Sequence, residues 1–172
     1  CAVLLAVLDQ LKRKKVDADF RAVFTRAEEV GLAGATGLVR TQSLPKTVPI
    51  IVLEASKELP GAIMGSGPVI RVGDVVSVFD ARLDFGIHQL AKQIAQSDPS
   101  FAYQRQLMSG GACEATLFAF HLLAVGALAL PLGNYHNQGN RWPAPEYVSS
   151  KDVTNLIRLC TELCTNPLLT EP

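Results

Sequence analysis

The sequence predicts an α/β domain, with a mixed, largely buried sheet and helices on both faces. Three observations carry that expectation. Apolar runs of strand length, VPIIVL at Val48–Leu53 and ALALPL at Ala127–Leu132, are hydrophobic at every position, as strands buried on both faces are. Segments of helical periodicity lie between them. The clearest is Leu83–Ala95, with Leu83, Ile87, Leu90, Ala91 and Ile94 on one stripe. The two patterns alternate along the chain, the order expected of layered α/β folds.

Cys1–Leu11 (CAVLLAVLDQL) reads as a helix, and the basic run Lys12–Lys15 suits the negative end of its dipole. No capping Ser, Thr, Asp or Asn precedes Cys1, so the expectation is a chain that starts inside a longer protein. Ala18–Thr25 (ADFRAVFT) reads as a strand and Gly31–Thr41 as a short helix. Val48–Leu53 is the next strand; Pro68–Val72 and Val75–Val78 are short strands around the turn Gly73-Asp74. Ser97-Asp98-Pro99 stops the helix Leu83–Ala95. Phe101–Leu107 is a strand, Glu114–Val125 a buried helix and Ala127–Leu132 a strand. Gly133–Pro145 is a loop rich in Asn, Gly and Pro, and Ser149 or Ser150 caps a last helix, Asp152–Cys164. Neither a repeat nor a low-complexity linker interrupts this, so residues 1–172 read as one domain.

With 172 residues, 48% of them apolar, the chain can build a core without staples. Sixteen Lys+Arg balance sixteen Asp+Glu, which argues against nucleic acid and against charge-driven membrane attachment. The longest apolar run, Leu122–Leu132, is too short to cross a bilayer. No signal-peptide pattern opens the sequence, and its four cysteines lack a secreted framework, so a cytoplasmic setting is expected. Cys160 and Cys164 share one helix face and read as small buried thiols.

Three apolar runs lead into groups that can do chemistry. FRAVFT runs into Arg26-Ala27-Glu28-Glu29, VPIIVL into Glu54, and ALALPL into Gly133-Asn134-Tyr135-His136. In open α/β sheets, ligands bind beyond the carboxyl ends of the strands. If these strands are parallel neighbours, Glu28, Glu29, Glu54 and His136 meet at one crevice. Carboxylates with an imidazole are zinc-type donors. Adjacent carboxylates repel, and a divalent cation removes that cost. The competing reading of Glu28-Glu29 is a solvated acidic pair at a helix N-terminus.

The segment Phe24–Ala35, FTRAEEVGLAGA, resembles the strand-to-helix segment of the co-catalytic zinc aminopeptidases, which include glutamyl aminopeptidase and the tetrahedral aminopeptidases. Four further segments follow in that family's order: IVLEA at 51–55, GPVI at 67–70, SGGACEA at 109–115 and LGNYHN at 132–137. The resemblance implies a zinc-exopeptidase-like sandwich. It implies a metal-dependent exopeptidase, an aminopeptidase in the first place, that hydrolyses N-terminal peptide bonds through a water held by two divalent ions. Zinc is the first expectation, with cobalt or manganese as substitutes. It also implies a homo-oligomer. Residue by residue, Glu28 would be the general base, Glu29 and His136 would hold one ion, and Glu54 the other. The family's bridging Asp and second His come from upstream of the Glu-Glu segment, and no residue of this chain matches them. The chain therefore resembles the C-terminal part of a catalytic domain.

Two positions depart from the family. Glu54 stands where many members have Asp, a choice that in related exopeptidases tracks aminopeptidase against carboxypeptidase or deacylase chemistry; those activities, and a non-catalytic scaffold, are the alternatives. Cys113-Glu114 stands where a Thr-Asp pair is common. Glu114 is either a contact to the substrate's amino group or a first-turn acid on the helix dipole. Of the other histidines, His88 reads as a surface residue and His121, within LFAFHLLAV, as a core residue. Gly110-Gly111 is a weak anion signal, and Gly65-Ser66-Gly67 lacks the Lys of a phosphate loop. Arg141-Trp142-Pro143 either closes over the loop around His136 or simply packs on the surface.

Overall fold

The computed structural model of the chain describes residues 1–17, 19–121 and 123–165. In chain order the elements are α1 (Ala2–Lys14), α2 (Ala33–Arg40), β1 (Ile50–Lys57), β2 (Val69–Asp74), α3 (Ala81–Ser97), β3 (Gln104–Met108), α4 (Glu114–Phe120), β4 (Val125–Gly133), β5 (Tyr147–Val148) and α5 (Ser150–Leu163). The sheet runs β1-β4-β2-β3, with β5 added to the end of β4. It is mixed: β1 lies parallel to β4 and β2 parallel to β3, whereas β2 and β5 run antiparallel to β4.

The side-chain period of two divides the strands between two faces. Ile51 and Leu53 of β1, Leu128 and Leu130 of β4 and Ile70 of β2 share one face. They meet Val3, Val7 and Leu11 of α1, Ile87, Leu90 and Ile94 of α3, and Leu156, Leu159 and Leu163 of α5 in the main core. The other face carries Val52, Val125 and Ala127, which pack with Ala35 of α2 and Ala115 and Phe118 of α4. Helices therefore cover both faces, as the sequence predicts.

Caps and turns hold these elements in register. The Asp80 carboxylate caps α3, accepting the amides of Arg82 and Leu83 at 2.9 and 3.0 Å. Ser149 accepts the Asp152 amide at the start of α5. Asp152, fully buried, accepts in turn from the amides of Gly65 and Gly67 at 2.7 and 2.9 Å. The Gly-Ser-Gly turn thus spends these amides on anchoring α5.

Several elements differ from expectation. Residues 19–25 form no strand, and Ala18 lies outside the described residues. Phe24 and Val23 remain 48% and 40% exposed, and no strand pairs with the segment among the described residues. Alternation without a neighbour cannot form a ladder. Val75–Ser77 is a turn, because Asp74 Oδ1 accepts the amides of Val76 and Ser77, both at 2.9 Å, and of the expected strand only Val78 pairs, in an antiparallel bridge to Gly73. The helix from Glu114 stops at Phe120, and Val125 already belongs to β4, whose first eight residues pair along β1. Leu122 lies outside the described residues. β1 extends to Lys57, so Glu54 sits within the strand instead of beyond it.

Candidate active site

Glu28, Glu29, Glu54 and His136 line one cavity of about 270 Å³, together with Arg71, Cys113, Tyr135 and Glu146. Only two of the three runs named above are parallel neighbouring strands, β1 and β4. Glu28 and Glu29 reach the cavity from a loop.

That loop is held by its backbone. Ala27 and Leu32, on either side of Glu28-Glu29, adopt left-handed φ values of 56° and 57°. The Glu28 carbonyl accepts the amides of Gly31 and Leu32 at 3.2 and 3.0 Å, and Arg26 O accepts the amide of Gly34 at 2.9 Å. A Cβ on Gly34 would stand 2.6 Å from Arg26 N, so only glycine lets the start of α2 lie against this turn.

His136 is aimed by a strained hairpin after β4. Asn134, His136 and Asn137 all have positive φ, 54°, 55° and 59°. Such strain is retained where surrounding bonds over-determine it. Here the His136 amide donates to Glu146 Oε1 at 2.7 Å, Asn134 Nδ2 donates to the Pro145 carbonyl at 2.8 Å, and the Tyr135 ring stacks on the imidazole at 4.0 Å. His136 Nε2 then lies 3.7 Å from Glu29 Oε2.

Glu54 is opposite Ala129 on β4 and faces the cavity side of the sheet. Burial raises its carboxyl to about 7; the Arg71 cation works against that rise, and Glu28, Glu114 and Glu29 add to it. Burial also raises Glu28, with help from the charges of Glu29 and Glu114. Both carboxyls are therefore held nearer to neutrality than free ones, the condition in which a carboxylate can take and return a proton. Glu114 opens α4 and leaves Oε1 buried without a partner. Burial pushes the Cys113 thiol up to about 12, so it is no nucleophile.

The donor chemistry suits a divalent ion, carboxylates and an imidazole around one polar cavity. Among the described residues no three His, Cys, Asp or Glu side chains gather closely enough to hold one. Glu29 and His136 form a pair 3.7 Å apart, and a catalytic zinc site takes three protein donors.

The other candidates fall elsewhere. His121 is exposed at the end of α4, its Nδ1 2.9 Å from the Leu117 carbonyl, because the helix ends before it can be buried. His88 is half-buried on α3 against the Tyr103 ring. Trp142 is 80% exposed and does not cover the cavity. All four cysteines are free; Cys160 is buried and Cys164 partly so. The residue that sequence reasoning missed is Arg71, 4% exposed in β2. Its signal was available: a lone cation in the apolar run PVIRV.

The fold recurs in known proteins. The chain superposes on the dodecamer PhTET1-12s with a TM-score of 0.72 and 22% identity, covering 94% of this chain and 46% of that one. A TET aminopeptidase from Thaumarchaeota archaeon SCGC AB-539-E09 gives 0.70 at 22% identity over 98% of this chain and 47% of its own. An aminopeptidase from the archaeon Desulfurococcus kamchatkensis gives 0.66 at 24% identity over 94% and 45%. The chain thus shares their fold and spans about half their length. No curated protein matches the sequence significantly. No helix among the described residues is long and apolar enough to cross a membrane. The M42 glutamyl aminopeptidase profile matches residues 1–159, and the chain belongs to that peptidase family.

Proposed function

We propose that the protein containing this chain is a metal-dependent aminopeptidase acting on N-terminal peptide bonds, and that residues 1–172 carry part of its catalytic machinery. The observation that supports this most is the convergence of Glu28, Glu29, Glu54 and His136 on one cavity from a loop, a strand and a strained hairpin. Glu29 and His136 would hold one divalent ion and Glu54 a second, zinc in the first instance, with the remaining donors from outside these residues. Bound there, such an ion supplies an acidified water and polarises the peptide carbonyl.

The chain's own part is proton handling. The raised Glu28 carboxylate would take a proton on one Oε atom and return it to the nitrogen of the leaving amine. Tyr135, stacked on His136, holds the imidazole in place. Glu114 is the candidate for the substrate's amino group, since its orphaned Oε1 lacks a donor. A homo-oligomer in a cytoplasmic setting completes the reading. The dodecameric neighbour supports the assembly, and the exposed Val75, Val76, Val78 and Phe85 offer apolar surface for it.

The test is hydrolysis by the full-length protein of matched peptides with free and blocked N-termini. Cleavage of the free-amine peptide alone, abolished by chelator and restored by zinc, cobalt or manganese, is the expected result. Cleavage of blocked peptides would instead favour the carboxypeptidase or deacylase reading to which Glu54 points. No metal bound and no cleavage would leave a scaffold.

A further inference from the structure

Arg71 is a buried cation that the reading above does not use. Strand register places it. Arg71 pairs with Ala127 of β4, and on the other side of β4 Glu54 pairs with Ala129 and Ser56 with Pro131. Directly paired residues share a face, and so do residues two apart, so all of these lie on the cavity face. The Arg71 side chain reaches Ser56, its Nη1 donating to Ser56 Oγ at 3.3 Å. Its path therefore runs diagonally over Ala129, the residue opposite Glu54. Ala127 and Ala129 offer only methyl groups there, so no bulky side chain of β4 stands between the guanidinium and the cavity.

Arg71 lines the cavity at only 4% exposure, and its Nε is buried without a hydrogen-bond partner. Among the described residues it forms no ion pair. An unanswered donor on a buried cation is costly, and an oxygen brought by a ligand removes that cost. Peptide hydrolysis brings one. As water attacks the scissile carbonyl carbon, the C=O π pair moves onto the oxygen and a water proton passes to the Glu28 carboxylate, leaving a tetrahedral oxyanion. On collapse the C=O bond re-forms, the C–N bond breaks, the proton on Glu28 goes to the leaving nitrogen, and the product acid ionises to solvent. Negative charge grows on that one oxygen, and a fixed cation in a site shielded from water stabilises it without reorganising. Glu28 and Glu54 mark the reacting end of the cavity, and the guanidinium stands at that end, on the Glu54 strand's side of β4.

We propose that Arg71 is a catalytic residue of this cavity: its guanidinium donates to the scissile carbonyl oxygen and stabilises the oxyanion that forms on it. The inference rests on the metallopeptidase reading. It makes the contribution of Arg71 independent of the side chain that the substrate's N-terminal residue carries.

The experiment is steady-state hydrolysis of matched peptides beginning with Leu, Ala or Glu by the metal-loaded full-length protein. Beside it runs inhibition by a phosphinate isostere of the Leu peptide, which resembles the tetrahedral intermediate. Arg71→Met, of similar length without the charge, should lower kcat about 10²-fold on all three peptides, leave KM within about threefold, and weaken the phosphinate in step with kcat/KM. Arg71→Lys keeps a cation but lacks the Nε donor, and should lose about tenfold in kcat. It carries the test alone if circular dichroism shows Arg71→Met unfolded. Metal content, measured on each protein, should match the unmodified one. Unchanged kcat in a folded variant, a loss that falls on KM, a loss confined to the Glu peptide, or a loss that tracks departed metal would each overturn the inference and leave the peptidase reading standing. No cleavage by the unmodified protein would overturn that reading and the inference with it.

Discussion

The two faces of the sheet are made from alternate residues of the same strands, and they behave in opposite ways. On one face β4 presents Leu128 and Leu130, flanked by Ile51, Leu53 and Ile70, and three helices close over them. On the other it presents Ala127 and Ala129, flanked by Glu54, Ser56 and Arg71. Large side chains in the central strand fill the layer and exclude everything polar. Small ones leave room in which charged side chains from both neighbouring strands can meet. Over Ala127–Leu130 this alternation of residue size separates the main core from the candidate site.

The comparison can be broken from either side. The largest effect is expected at the site: Glu28→Gln should lower peptide turnover by the full-length enzyme about 10²–10⁴-fold without lowering its thermal stability. A variant of undiminished activity would remove Glu28 from the chemistry. On the core face, Leu128→Ala should cost about 3 kcal/mol in denaturant unfolding, since Leu128 is fully buried and the site cannot collapse around the loss. On the site face the opposite change is the damaging one. Ala129→Leu should cost about 2 kcal/mol by overpacking and shrink the space between Glu54 and Arg71, which ion titration would register as weaker binding.

A smaller, pH-dependent effect sharpens the contrast. Glu54 titrates at about 7 in the fold against an ordinary value of 4.5. The folded state therefore holds the proton more tightly than the unfolded chain. The resulting contribution is complete below about pH 4.5 and lost as pH rises through 7. Without metal, Glu54→Gln should match the native protein in acid and exceed it by up to about 3 kcal/mol above pH 7. Saturating zinc should reverse the sign, because the ion then stabilises the charged carboxylate. Urea titrations at pH 4 and 8 check this, and equal stability of the two proteins at pH 8 without metal would refute it. The smallest effect is expected at His121, exposed at a helix end, where His121→Ala should change stability by less than about 0.5 kcal/mol.

Local pattern alone determined a good deal here. The stripe of Leu83, Ile87, Leu90 and Ile94, the start of α5 at Ser149 and the buried run of β4 follow from periodicity, capping and hydropathy, which act over a few residues, whereas β1, at the end of the sheet, buries only Val52. The wording around Glu28, Glu29, Glu54 and His136 was enough to bring the four together before any fold was known. The tertiary structure decided the rest. Residues 19–25 have strand alternation but no strand among the described residues pairs with them, and pairing is a property of two segments. The helix after Glu114 ends early because β4 takes Val125 into the sheet. Arg71 and Glu54 become neighbours only through register on β4, across two alanines that mean nothing as letters in a row. Periodicity tells which way a side chain points along its own element; which charge it meets depends on the strand laid beside it, and that is set by long-range packing.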